Sequence, residues 1–148
     1  MDTQSATAVT TTAIAALVAL ITLRQWLTDR ARLKHELFDR RYAIYEKIAA
    51  FPADILLAGR VQPGADIQFL RDTKLAYFAF GCDAAVKGVV DRIYKLAVDL
   101  HATQASLPGL TGAARTANLA KEAELMDQLQ RASLSLPDTF TKYLKLGH

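Results

Sequence analysis

The residues of this sequence that could carry chemistry are few, and their spacing matches no known site. The three histidines, His35, His101 and His148, are far apart, and Cys82 is the only cysteine. A zinc site needs three or four converging ligands, and a disulfide needs a second cysteine. We therefore predict no metal site and no intrachain disulfide, and we expect Cys82 to be a small packed residue.

The polar residues also give no pattern for catalysis. The carboxylate pairs that could share a helix face, Glu36 with Asp39 and Glu124 with Asp127, both fall on polar arcs. The sequence has no phosphate-binding glycine loop, no dinucleotide fingerprint and no serine nucleophile elbow. We predict a non-enzymatic protein without catalytic residues or cofactor. The alternative is a lipid- or nucleotide-processing enzyme with an unrecognised site.

One charged residue, Arg41, falls on the apolar side of a predicted helix. Its apolar neighbours on the helical wheel form two edges: Leu33, Leu37, Ile44 and Ile48 on one side, and Phe38, Tyr42, Tyr45 and Ala49 on the other. A buried charge must be paired or reach water, and a planar guanidinium suits a carboxylate. We predict a structural ion pair between Arg41 and Asp83, with Asp72 as the other candidate. The alternatives are that Arg41 reaches water along Phe38 or faces a partner.

The elements that position these residues begin with an uncharged stretch, residues 3–23. As a helix it spans roughly 30 Å, which is the thickness of a bilayer core. Trp26 follows where an interfacial aromatic residue belongs. We predict that residues 1–28 form an N-terminal transmembrane anchor. A cleaved signal peptide lacks support because the start has no basic residue, and a buried soluble helix is the other alternative.

Basic residues cluster directly after this stretch and set its predicted orientation. We predict that four of them contact lipid head groups: Arg24, Arg30, Arg32 and Lys34. The positive-inside rule places the N-terminus outside the inner membrane and residues 29–148 in the cytoplasm. The same cluster contains acidic residues and no nucleic-acid signature, so we predict no nucleic-acid partner.

The body of the chain reads as all-α, in a small antiparallel helical bundle without strands. Neither Pro nor Gly occurs before Pro52, so one helix should run from about Thr7 to Phe51. The remaining helices are predicted from capping and breaking residues: Asp66 to Gly81, Asp83 to about Gln104, 113–134, and a short helix over residues 137–146.

Two motifs give the chain a resemblance. Residues 37–46 read LFDRRYAIYE, and residues 78–83 read FAFGCD, with Cys82 between the glycine and the acid. Over about residues 10–105 the sequence resembles a loose group of uncharacterised small bacterial membrane proteins with one N-terminal transmembrane helix and an LFDRRYxIYE-like motif. The resemblance implies a membrane-tethered helical domain and no established activity. It also makes a link between Arg41 and the Gly81–Asp83 segment more attractive.

These features lead to an expected role as a tether, scaffold or accessory subunit of a membrane-associated assembly. The expected partners are membrane lipids and either another protein or further copies of the chain. A threonine-rich face before the apolar run motivates the alternative, a membrane-active effector or pore former in a stress or phage response. Its residues are Thr7, Thr10, Thr11 and Thr12.

Overall fold

The computed structural model describes the backbone of residues 3–145 and the side chains of residues 14–30 and 32–145. Within that part every regular element is a helix and there is no strand, which confirms the all-α prediction. The helices are α1 (Thr3–Ala58), α2 (Ala65–Thr73), α3 (Ala76–Ala79), α4 (Ala84–Ser106), a 3₁₀ turn (Leu107–Gly109), α5 (Gly112–Leu134) and α6 (Leu136–Phe140).

The chain separates into two compact units, Met1–Leu37 and Phe38–His148. The first unit consists of the N-terminal part of α1, and its described large apolar side chains are exposed. Within the part of the chain that the structure describes, no helix has the length and hydropathy that crossing a membrane requires. The sequence predicted a different division, between a membrane anchor ending at residue 28 and a cytoplasmic part beginning at residue 29. That division stays a prediction.

The second unit has a single hydrophobic core to which all of its longer helices contribute. The C-terminal part of α1 contributes Ile48, Phe51 and Ile55, and Phe51 stacks on Phe69 of α2 with ring centroids 4.3 Å apart. The helices α4 and α5 pack against each other through regularly spaced buried residues: Val86, Ile93, Leu96, Ala97 and Leu100 on α4, and Leu125, Leu129 and Ala132 on α5. Each fully buried large side chain stabilises the fold by roughly 1.5–3 kcal/mol.

The sequence predicted that the first helix ends at Phe51, before Pro52. In the structure α1 continues through Pro52. Pro52 lies inside α1, is fully buried, and the helix continues to Ala58. A proline in a helix interior removes one backbone hydrogen bond and crowds the preceding turn. The apolar spacing continues through it at Ile48, Phe51 and Ile55, so burial in the core offsets the local cost. Gly59, with φ 67°, follows the end of the helix.

The predicted second helix is divided into α2 and α3. Gly64, with φ 77°, caps α2, so Asp66 lies inside the first turn and is not the cap. Between the two helices the N–H of Lys74 bonds to the carbonyl of Arg71, a tighter 3₁₀-like turn. The buried positions Phe69, Thr73, Ala76 and Phe80 stay in phase across this turn. The sequence period therefore indicates one helix where the backbone forms two.

Two glycines allow the turn after α3 to be tested. Gly81 has φ 70°, whereas Gly88 is inside α4 with ordinary helical geometry, and an added Cβ would meet no atom within 4 Å at either position. We expect Gly81→Ala to lower the free energy of unfolding by about 1–2 kcal/mol, because a left-handed conformation strains a side chain. Gly88→Ala should raise it by about 1 kcal/mol. Urea denaturation of both variants measures this, and equal effects would contradict the account of the turn.

Candidate functional site

The half-buried side chain of Arg41 joins α1 to the end of α3. Its Nε donates a hydrogen bond of 2.8 Å to the carbonyl oxygen of Ala79, and its guanidinium lies 5.7 Å from the ring centroid of Tyr143. This places Arg41 on the packed side of α1, as the helical wheel indicated. The charge is held by a backbone dipole and an aromatic face rather than by a carboxylate.

The bond to Ala79 completes the end of α3. The last carbonyls of a helix lack partners within it and must find other donors. Here the carbonyls of Ala76, Tyr77 and Phe78 accept from the backbone N–H groups of Phe80, Cys82 and Gly81 respectively. The next carbonyl, that of Ala79, accepts from the Arg41 side chain. Arg41 therefore supplies a donor at a point where the chain turns away from the helix.

The turn itself contains two consecutive residues with left-handed backbone geometry. Gly81 has φ 70° and Cys82 has φ 59°, and Cys82 is the only described non-glycine residue with a positive φ. Glycine adopts this geometry without strain, whereas cysteine does not. Cys82 is also exposed, so the expectation of a packed residue was wrong. The left-handed turn leaves the Cys82 side chain exposed to solvent.

Asp83 gathers three donors at the start of α4. Its Oδ1 accepts from the backbone N–H of Ala85 at 2.7 Å, which confirms the predicted N-cap. Its Oδ2 accepts from Lys142 Nζ and from the Tyr143 hydroxyl. The carboxylate thus fastens the segment after α6 to the first turn of α4.

The residues predicted as an ion pair, Arg41 and Asp83, each have other partners, and Tyr143 links them. The ring of Tyr143 faces the Arg41 guanidinium, while its hydroxyl donates to Asp83. The other candidate acid, Asp72, pairs with Lys47 at 2.9 Å and also accepts from Gln68. Arg41 therefore belongs to the same corner as Asp83, but the connection runs through an aromatic residue.

The electrostatics of this corner follow from the hydrogen bonds to Asp83. The ammonium of Lys142, then the hydroxyl of Tyr143 and the N–H of Ala85, hold the pKa of the Asp83 carboxyl well below its usual range. The same carboxylate raises the pKa of Lys142. It also raises the pKa of the Tyr143 hydroxyl, with burial as a second cause. Asp83 is therefore a structural anion and is poorly suited to accept a proton.

The predicted membrane-interface residues lie on α1 in the first unit. Trp26 is 52% exposed, and the Arg30 guanidinium lies 4.8 Å from its ring centroid. Arg32 forms an exposed ion pair of 3.1 Å with Glu36. Arg24 and Lys34 have no carboxylate partner among the described residues. Their contact with lipid stays a prediction.

Sequence reasoning missed Lys142 and Tyr143 as parts of the site. The prediction extended the last helix through them, but α6 ends at Phe140 and the chain then turns. Phe140 packs edge-on against Phe80 at 4.8 Å, and Tyr143 packs against Phe80 at 5.3 Å. The aromatic spacing of Phe140 and Tyr143 was the available signal, because it places both rings on one side of the C-terminal segment.

The arrangement can hold helices together and present a cation on an aromatic support. Among the described residues there is no group of three His, Cys, Asp or Glu side chains that could hold a metal ion.

Comparison of the chain with models of protein families, with curated proteins and with solved structures found no match.

The role of Arg41 gives a mutational prediction. Arg41→Leu should lower the free energy of unfolding by about 1–3 kcal/mol, because the Ala79 carbonyl loses a charged donor. Arg40→Leu is the matched control, since Arg40 is exposed and has no ion pair in the described structure. Thermal melting of the two full-length variants distinguishes them, and equal melting temperatures would refute the role assigned to Arg41.

The lowered pKa of Asp83 predicts how stability depends on pH. Because its ionised form is favoured in the folded state, its contribution is complete above the unfolded pKa of about 3.9 and is lost as pH falls through the lower folded pKa. Asp83→Asn should lower the melting temperature at pH 7 and make its decline below about pH 4 shallower than in the wild type. Asp138→Asn is the control, since the exposed Asp138 has no ion pair in the described structure, and its melting curve should parallel the wild type. An unchanged acid limb in Asp83→Asn would contradict the prediction.

Proposed function

We propose that the chain is a membrane-anchored, non-enzymatic helical protein that acts as a tether or scaffold at the inner face of a membrane. The observation that carries the proposal is the exposure of apolar side chains on every side of α1 between Ile14 and Leu27. The exposed residues are Ile14, Leu17, Val18, Leu20, Ile21, Leu23, Trp26 and Leu27. A helix that is apolar all round belongs in a protein core or in a bilayer.

The positions of these residues exclude a single buried stripe. At about 100° per residue, Ile14, Leu17, Leu20 and Leu23 step progressively around the helix. Their exposed fractions lie between 57% and 63%. In the sequence the uncharged stretch extends back to Thr3, although the side chains of residues 3–13 lie outside the described residues. Together the stretch has the length expected of an anchor.

Threonines near the end of this stretch have satisfied hydroxyls. Thr22 Oγ1 donates to the carbonyl of Val18 and Thr28 Oγ1 to that of Arg24, each at 2.9 Å. Such bonds make a hydroxyl tolerable in or near lipid. The Trp26–Arg30 contact then supplies an aromatic ring and a cation side by side, the combination that suits a head-group layer.

The scaffold part of the proposal rests on the second unit. The Asp83 carboxylate, whose pKa is held well below its usual range, caps α4 and binds the C-terminal segment. Arg41 and Tyr143 likewise hold helices in place. The resemblance to small bacterial membrane proteins supports only the membrane-tethered helical domain, since it implies no established activity. The threonines that motivate the alternative of a pore former, Thr7, Thr10, Thr11 and Thr12, lie outside the described side chains.

The single exposed cysteine provides the test of anchoring and orientation. We expect the chain to stay in the membrane pellet after alkaline carbonate extraction. A membrane-impermeant maleimide should label Cys82 in inside-out vesicles and leave it unlabelled in intact spheroplasts, since the proposal places Cys82 on the cytoplasmic side.

The matched control moves the label to the other end of the chain. In the double variant Cys82→Ser with Asp2→Cys, the labelling pattern should reverse, because residue 2 precedes the uncharged stretch of the proposed anchor. Release of the chain by carbonate would contradict the anchor. Labelling of Cys82 from outside the cell would contradict the orientation.

A further inference from the structure

A patch of aromatic and basic side chains is partly open to solvent beside Arg41. We name it the Arg41 surface and define it by Phe38, Arg41 and Tyr42 of α1 and by Lys142 and Tyr143 after α6. Phe38 stacks on Tyr42 at 6.0 Å, and the Tyr143 ring lies 5.7 Å from the Arg41 guanidinium and 4.9 Å from Lys142 Nζ. Tyr42 is 44% exposed.

The rings of the Arg41 surface are linked to one another through an inner aromatic layer. Tyr42 lies 6.4 Å from Tyr45, and Tyr45 lies 5.3 Å from Phe140. Phe140 and Tyr143 both pack on the buried ring of Phe80. The outer rings are therefore supported by an ordered inner layer, so a ligand would meet a surface that is largely formed beforehand.

The Arg41 surface also has hydrogen-bonding capacity that the fold does not use. The Nε of Arg41 is bonded to Ala79, whereas its Nη1 and Nη2 have no acceptor among the described residues. The Ala79 bond and the Tyr143 ring fix the plane of the guanidinium. A guanidinium held in this way presents its remaining N–H groups to a carboxylate at a small entropic cost.

The charge balance of the surface indicates what it binds. Lys142 is neutralised by Asp83, so Arg41 is the one cation of the Arg41 surface that lacks an anionic partner in the described structure. Membrane surfaces attract clusters of several basic residues, whereas one cation within aromatic rings is the composition of a protein–protein hot spot. Charge complementarity therefore favours a single carboxylate carried on an apolar segment.

We propose that the Arg41 surface docks an acidic amphipathic segment of a partner protein. A carboxylate of the segment accepts from Arg41 Nη1 and Nη2, and its apolar side chains pack on Phe38 and Tyr42. This mode corresponds to an amphipathic helix that lays its apolar face on an aromatic patch and adds one ionic contact. The inference deepens the proposed scaffold role and rests on it, because it names the chemistry of the scaffolded partner.

The test uses the full chain in detergent micelles and three fluorescent helical peptides. The peptides share one leucine stripe and differ in their polar positions, which are Glu, Gln or Lys. We expect the Glu peptide to bind at least about tenfold more tightly than the other two in fluorescence anisotropy, since every factor of ten corresponds to about 1.4 kcal/mol. Equal binding of the three peptides would overturn the proposal.

Variants assign the binding to the Arg41 surface. Tyr42→Ser removes an exposed ring, and Arg41→Lys keeps the charge while removing the planar fork; each should weaken the Glu peptide by about tenfold. Leu57→Ser is the control, because Leu57 is 91% exposed and lies about 22 Å along α1 from Tyr42. Unchanged affinity in Tyr42→Ser with a native melting temperature would refute the assignment even if Arg41→Lys fails to fold.

A membrane is the competing occupant, and the same assay separates it. Phosphatidylglycerol is added to the micelles that hold the complex of the chain with the Glu peptide, and phosphatidylcholine serves as control. Displacement by phosphatidylglycerol alone, lost in Tyr42→Ser, would show that lipid head groups occupy the surface and would overturn the proposal. Failure of the peptide assay leaves the Cys82 labelling result intact, so the two proposals fail independently.

Discussion

The hydrogen bond from Arg41 Nε to the Ala79 carbonyl is the contact on which the arrangement of the second unit depends. The helix α3 has only four residues, and the chain leaves it through two residues of left-handed geometry. The backbone N–H groups of the turn satisfy three carbonyls of α3, and the Ala79 carbonyl takes its donor from α1. An unpaired carbonyl at a partly buried helix end is costly, so this corner is fixed by a side chain from a distant helix.

The position of α4 follows from the same corner. Once the turn is fixed, Asp83 can cap α4 with one oxygen and bind the C-terminal segment with the other. Tyr143 returns to the Arg41 guanidinium and closes the network. The aromatic rings of Phe80 and Phe140 fill the space beneath it. Polar contacts at the rim and apolar packing below thus fix the ends of three helices relative to one another.

Much of this fold could be predicted from sequence because its apolar period is regular. The helices α4 and α5 and the cap at Asp83 lie where the capping and breaking residues indicated, and the buried residues of both helices recur at helical spacing. The same apolar period explains why α2 and α3 were predicted as one helix. The buried residues Phe69, Thr73, Ala76 and Phe80 keep helical spacing across the turn between α2 and α3, so the spacing does not reveal the turn. Pro52 shows the opposite case, in which a breaker is overruled by burial of the turns around it.

The partners of Arg41 could not be predicted by the same means. The wheel places Arg41 among apolar residues, and this identifies a charge that needs a partner. Its acceptor is a backbone carbonyl, which every residue carries, so no side chain in the sequence marks Ala79. Asp83 was predicted as the partner because its position before a helix marks it as an N-cap. Its side-chain partners, Lys142 and Tyr143, come from a segment 59 and 60 residues later in the chain. The sequence therefore located the corner but not the bonds within it.

The two parts of α1 require different surroundings, and this difference is the physical basis of the proposed anchor. In the second unit Ile48, Phe51 and Ile55 are buried along one stripe, whereas eight large apolar residues between Ile14 and Leu27 are exposed on all sides. If these side chains stay in water, the protein loses on the order of 10 kcal/mol of the free energy that their burial would supply. This is comparable with the free energy of unfolding of a whole domain. A bilayer recovers this term without further side-chain specificity, while the stripe in the second unit depends on particular rings and hydrogen bonds. The proposed anchor can therefore tolerate changes among apolar residues, and the corner around Arg41 cannot.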